Sequence, residues 1–237
     1  MPIGEDFAAA LEDRSVGVAR DYSSDTRVVF VAFGGMAGGL GMPPFEFLRQ
    51  TESLPVSRLF VRDVSQCWYH NGVPGLGDAI PAVADALRAE HESLRATRVV
   101  YTGHSAGGYA ALLFGTLVGA DAVVAFSPQT FLGRRERLRY FDWRFRREVA
   151  GLRISNNSGT TYLDLLHILK HQGKPSIQIH YSNGNRLDRL HSERLRCFDT
   201  VTLSGHEHEG HNVVRVLRDS GDLQAILKAV LGLPGHS

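Results

Sequence analysis

Gly103-His104-Ser105-Ala106-Gly107 places a serine between glycines two residues before it and two after. That spacing suits a nucleophile on a strained strand-to-helix turn, where a side chain at either flanking position would collide with the neighbouring strand or helix. A β-branched run, Arg98-Val99-Val100-Tyr101-Thr102, leads into the motif, and Gly107-Gly108-Tyr109-Ala110-Ala111-Leu112-Leu113-Phe114 leads out of it with small residues and then an apolar stretch. In a chain with 25 glycines among 237 residues a bare G-x-S-x-G carries little weight. The strand before it and the helix after it supply the context that the motif needs. Ser105 is the expected nucleophile of an acyl-transfer chemistry, and the N–H of Ala106 is expected to point to where an oxyanion would form.

Histidines crowd into Gly205-His206-Glu207-His208-Glu209-Gly210-His211-Asn212. His206, His208 and His211 have an H-x-H-x-x-H spacing that some metallohydrolases use, but His236 is the only later histidine, and Asn212 stands where an H-E-x-x-H motif begun at His208 would need its second one. The expectation is no metal, with His206 and His208 at the rim of a site. The glycine loop Gly34-Gly35-Met36-Ala37-Gly38-Gly39 lacks both the G-x-G-x-x-G spacing and a P-loop lysine, so an oxyanion role fits it better than a phosphate cradle, and no organic cofactor is expected.

The elements that must position these residues follow from hydrophobic pattern. Short β-branched runs alternate with longer helical ones, as in a mostly parallel sheet with helices on both faces. Strands are expected near 27–33, 57–63, 97–102, 121–126, 176–181 and 199–203, with a further edge strand at 16–20. Helices are expected near 44–51, 77–94, 106–118, 161–172, 188–197 and 212–231. Ile80, Val83, Ala84, Leu87 and His91 make an amphipathic stripe in the second of these. Length, 43% hydrophobic and 22% charged residues describe one α/β domain over 1–237. A net charge of +1 gives no global reason to expect nucleic acid, and no apolar run is long enough to span a membrane. The first twenty residues lack a basic start and apolar core, so the expected compartment is the cytoplasm, with Cys67 and Cys197 reduced and structural.

Strand, glycine loop, helix, strand, helix, strand, elbow and helix follow in an order that resembles the α/β-hydrolase superfamily over about residues 16–232. The resemblance implies an α/β-hydrolase fold and locates the remaining parts. The loop after the first long strand would supply the second oxyanion donor, the N–H of Gly35 or Met36, although Phe33 stands where the family often has histidine. Gly210-His211 matches the family's step into the last helix, making His211 the general base. The acid belongs a few residues past strand 176–181, where Asp188 is the only carboxylate of Ser182-Asn183-Gly184-Asn185-Arg186-Leu187-Asp188. Asp188 could instead cap the helix that follows, which aspartate favours, leaving Asn185 to orient the histidine.

Between Phe126 and Ser176 lies an insertion expected to form, over 130–175, a cap above the site. Its residues 131–153 carry eight arginines against Glu136, Asp142 and Glu148, interleaved with Tyr140, Phe141, Trp143 and Phe145. Such a surface suits an acidic or phosphorylated partner, or else is a solvated face. Trp68 and His70, at the carboxyl edge of the sheet, and His104, beside the nucleophile, are candidate substrate-binding residues. The reading is a serine hydrolase that cleaves an ester or thioester of a small-molecule or carrier-bound acyl substrate. Its rivals are an acyltransferase with the same triad and a catalytically silent binding protein of the same fold; sequence decides neither the substrate nor the oligomeric state.

Overall fold

The computed structural model describes residues 5–36, 47–152, 161–170 and 175–234. Its centre is a sheet of seven strands: β1 (Val18–Asp21), β2 (Val28–Phe33), β3 (Ser57–Val61), β4 (Arg98–His104), β5 (Ala122–Phe126), β6 (Ser176–Ser182) and β7 (Val201–His206). They are ordered β1-β3-β2-β4-β5-β6-β7. β1 pairs antiparallel with β3, with Val18 opposite Val61, and every other pairing is parallel. The central strands β2 and β5 are covered on both faces and consequently read as continuous apolar runs, whereas the edge strand β7 is partly exposed along its length. In β5 all five residues of Ala-Val-Val-Ala-Phe are buried.

The helices are α1 (Glu5–Glu12), α2 (Leu48–Thr51), α3 (Ile80–Ser93), α4 (Ala106–Val118), α5 (Arg134–Tyr140), α6 (Arg146–Ala150), α7 (Leu165–Leu169), α8 (Arg186–Glu193), α9 (Val213–Ser220) and α10 (Asp222–Leu231), with a 3-10 turn at Thr161–Leu163. One core gathers α3, α4 and α7 against one sheet face through Val83, Leu87, Leu113 and Leu165. The other gathers α1, α9 and α10 through Phe7, Leu217 and Leu227. The stripe of α3 faces inward as expected, burying Ile80, Val83, Ala84 and Leu87.

Several elements differ from the sequence expectation. The last helix is two helices, because Gly221 at φ 86° is at once the C-cap of α9 and the N-cap of α10. The helix expected at 188–197 begins at Arg186, since Asn185 caps it. The helix expected at 161–172 is a 3-10 turn and the short α7, and 171–172 lie outside the described residues. The helix expected at 44–51 is described only from 47 onward and is helical at Leu48–Thr51. The last strand starts two residues later and runs to His206, and α1 was not anticipated. Cys67 is buried and Cys197 exposed, both free.

Candidate active site

β4 passes directly into α4 at Ser105, which takes φ 56° and ψ −115°, a region that residues with a Cβ seldom occupy. The surroundings enforce that conformation. The Ser105 N–H donates to the Phe126 carbonyl at 2.9 Å, and its carbonyl accepts from Tyr109 N–H at 3.0 Å and Gln129 N–H at 3.3 Å. The flanking glycines are required by close approach: a Cβ on Gly103 would lie 2.2 Å from the Gly107 carbonyl oxygen, and one on Gly107 would lie 2.2 Å from that of Phe33. Ala106 opens α4, so its N–H has no partner within the helix.

The same contact at Gly107 shows where the glycine loop runs. Residues 33 and 34 lie against the start of α4, and a Cβ on Gly35 would come within 3.2 Å of the His104 carbonyl oxygen. Gly35 and Met36 are thus half-buried beside the elbow, while Ala37, Gly38 and Gly39 lie outside the described residues. Two bonds hold this loop: Gly34 N–H to the Val61 carbonyl at 2.9 Å, and the Tyr69 hydroxyl to the Gly34 carbonyl at 2.8 Å. Phe33 stacks on Phe114 at 5.5 Å and meets Tyr69 edge-on at 5.5 Å, so the position where the family often has histidine is an aromatic core contact.

His211 follows β7, and its Nδ1 lies 2.7 Å from Asp188 Oδ1. Asp188 is 1% exposed and His211 half-buried. Asp188 and Asn185 make different contacts. Asn185 is the N-cap of α8, its Oδ1 accepting from the N–H groups of Leu187 and Asp188 at 3.1 Å each. Asp188, one turn in, spends its carboxylate on His211.

His104 is corrected from a substrate contact to an interior one. It is 3% exposed, its ring lies 4.8 Å from that of His211, and its Nε2 meets the His211 carbonyl at 3.1 Å. Burial, with His211 close by, lowers its pKa to about 4, so it is neutral at pH 7 and Nε2–H donates to that carbonyl. Trp68, the other candidate wall, is likewise interior: it is fully buried, donates from Nε1 to Gln129 Oε1, and meets Phe145 edge-on at 5.8 Å. His70 is half-buried and tied to the Tyr109 hydroxyl at 2.9 Å, which in turn donates to the Tyr162 carbonyl at 2.6 Å. These side chains are spent on packing because the turn after β3 folds inward, with Asp63 Oδ2 accepting from Cys67 N–H at 2.7 Å and Tyr69 N–H at 3.0 Å. The three clustered histidines also part company. His206, half-buried, pairs with His180 at 3.0 Å, while His211 turns to Asp188.

A second histidine–carboxylate pair lies behind the first and was not read from sequence. His191 on α8 is buried and neutral, burial lowering its pKa to about 4. Its Nδ1 accepts from Thr130 N–H at 2.9 Å, so Nε2 carries the proton and donates to Asp142 Oδ2 at 3.0 Å. Burial alone would raise the Asp142 pKa, but bonds from His191 and Arg144 hold it well below the usual carboxylate range. Arg144 grips Asp142 with Nε and Nη2, both at 3.0 Å, and turns Nη1 to Asp188 Oδ1 at 3.5 Å. The guanidinium of Arg144 thus links the insertion to the carboxylate bonded to His211. Farther out, Leu132, Leu138, Trp143, Val149, Arg134 and Arg146 line part of a cavity of about 610 Å³.

Neither a protein-family model nor a curated protein sequence matches the chain. Solved structures do. The capsule O-acetyltransferase of Neisseria meningitidis serogroup A superposes with a TM-score of 0.65 at 15% identity, covering 91% of this chain and 92% of that one. Esterase B from Lactobacillus rhamnosis gives 0.55 at 17% identity over 89% and 81%. Acetyl xylan esterase 1 from Thermoanaerobacterium sp. JW/SL YS485 gives 0.56 at 14% identity over 92% and 78%. A chain of the glycosylation-associated Gap123 complex from Streptococcus agalactiae gives 0.64 at 15% identity, but this chain spans only 44% of its length. With its mostly parallel sheet, elbow strand order and these neighbours, the chain has the α/β-hydrolase fold.

Proposed function

We propose that this chain is a serine hydrolase that cleaves an ester or thioester through an acyl-enzyme on Ser105. The observation that carries the reading is the 2.7 Å bond between buried Asp188 and His211, on the loop whose backbone is fixed by the residue preceding the strained Ser105. In this reading Asp188 accepts from Nδ1–H of His211, which leaves Nε2 free as a base. Nε2 takes the Ser105 proton as the hydroxyl adds to the acyl carbonyl, and returns it to the leaving alcohol or thiol. The oxyanion of the tetrahedral intermediate is met by N–H groups of Ala106 and of Gly35 or Met36, reinforced by the positive end of α4. Water, deprotonated by the same imidazole, then releases the acid.

A fluorophosphonate should modify Ser105, located by mass spectrometry of the adduct, and Ser105→Ala should lower turnover of a p-nitrophenyl ester on the order of 10⁴-fold or more without loss of folding. Modification of a different serine would sink the assignment. An acyltransferase is the second reading, favoured by the O-acetyltransferase neighbour that matches this chain along nearly its whole length and is also known in complex with CoA. The acyl-enzyme would then be resolved by an alcohol or amine in place of water. Product analysis with and without an acceptor alcohol separates the two.

A further inference from the structure

Arg144 lies between α5 and α6, in a turn entered at Phe141 (φ 54°) and left at Phe145 (φ 50°). The turn is closed on itself: Arg144 N–H donates to Asp142 Oδ1 at 3.0 Å, and Arg137 donates to the Arg144 carbonyl. The guanidinium is thereby aimed rather than free. One edge, Nε and Nη2, is bidentate on Asp142, and the remaining Nη1 reaches Asp188. Asp142 is fixed in turn by His191, itself fixed by Thr130, so the cation hangs from a buried chain of bonds that ends in the strand-following segment after β5. On the other side, Asp188 has incomplete partners: Oδ1 serves both His211 and Arg144, while Oδ2 is buried without a hydrogen bond among the described residues. Burying a carboxylate with one orphaned oxygen is costly unless a cation pairs with it, and Arg144 supplies one.

We propose that Arg144, carried by the insertion, is a positioning residue that holds the Asp188 carboxylate in the orientation that meets His211. The proposal rests on the Ser105-His211-Asp188 reading given above. The groups facing His211 are Asp188 from α8 and His104 from β4, with Arg144 behind Asp188. Asp142 holds the other edge of the guanidinium, so the place of Nη1 against Asp188 is fixed from behind. Without Arg144 the Asp188 carboxylate loses that partner and is free to turn from His211.

The test is the rate at which a fluorophosphonate modifies Ser105 in the full chain, which needs no knowledge of the natural substrate, beside kcat and KM for p-nitrophenyl acetate. Arg144→Ala should lower the modification rate and kcat about tenfold and leave KM unchanged. Arg144→Lys, which keeps the charge but cannot grip Asp142 with two parallel bonds, should recover part of the lost rate. If Arg144→Ala does not fold, Arg144→Gln must show the same loss of kcat at unchanged KM. A modification rate and kcat unmoved in the neutral variants, with Ser105 still modified, overturns this inference and leaves the triad reading standing. A wild-type chain whose Ser105 does not react overturns the triad reading and this inference with it.

Discussion

Asn185 and Asp188 sit three residues apart on one turn of α8, and their roles separate cleanly under two substitutions. Asp188→Asn keeps the size and most of the packing of a residue that is 1% exposed, but an amide facing Nδ1 can stabilise the wrong tautomer of His211 or leave its proton poorly held. Turnover should fall by roughly 10²- to 10⁴-fold, while the helix keeps its cap. Asn185→Ala should do the reverse. It strips the acceptor from two first-turn N–H groups, each bonded at 3.1 Å, at a cost of about 1 kcal/mol within a usual range of about 0.5–2. For a chain of this size that corresponds to a drop in Tm of about 2–4 °C, with turnover reduced less than about tenfold. The assay is kcat/KM for p-nitrophenyl acetate beside thermal unfolding of the same preparations. If Asp188→Asn keeps wild-type kcat, the His211 bond is structural; if Asn185→Ala loses as much activity as Asp188→Asn, the assignment of acid to one residue and cap to the other is wrong.

Burial of neutral His191 makes stability fall with acid: its folded pKa is about 4 against an unfolded value near 6.5, so the unfolded chain holds the extra proton between them and stability declines as pH drops through that window. Denaturant melts at pH 7.5 and 4.5 should show His191→Gln taking up about one proton fewer on unfolding than wild type, and an unchanged uptake would refute it. Trp68→Phe removes the indole donor from buried Gln129 and should cost about 1–3 kcal/mol in urea unfolding while leaving KM for small esters unaltered; a raised KM at full stability would restore the substrate-wall role. Joint reversal of exposed Arg134, Arg146 and Arg147 to Glu should raise KM for an acidic thioester but not for a small neutral ester, and the contrast should fade with salt as the Debye length shrinks from about 10 Å at 0.1 M to about 3 Å at 1 M. Equal insensitivity of both substrates would identify the arginine surface as a solvated face. Arg144 is left out of that set because it grips Asp142 and reaches Asp188 in the interior.

The middle of the sheet was legible because central strands buried on both faces leave unbroken apolar runs, and the elbow because close approach at Gly103 and Gly107 tolerates only glycine. What sequence left open shares one physical cause, a dependence on which residue a side chain meets across the fold. Asn185 and Asp188 both suit a helix start. Which of them caps turned on where α8 begins, two residues before the apolar pattern places it, and which of them meets His211 on that residue arriving from a strand away. Trp68 and His70 stand at the carboxyl edge of β3, where ligands bind in such sheets, yet Asp63 gathers the following N–H groups and turns both rings toward the core. Arg144 was visible only as one of eight arginines in a basic stretch. Its neighbours Arg146 and Arg147 have the same charge and nearly the same place in the sequence but are exposed, and the difference is made by Asp142, two residues away, which His191 draws inside. A composition-level reading assigns such a stretch to a partner in solution. In the folded chain at least one of those charges is already committed, and the carboxylate that it serves is the one bonded to His211.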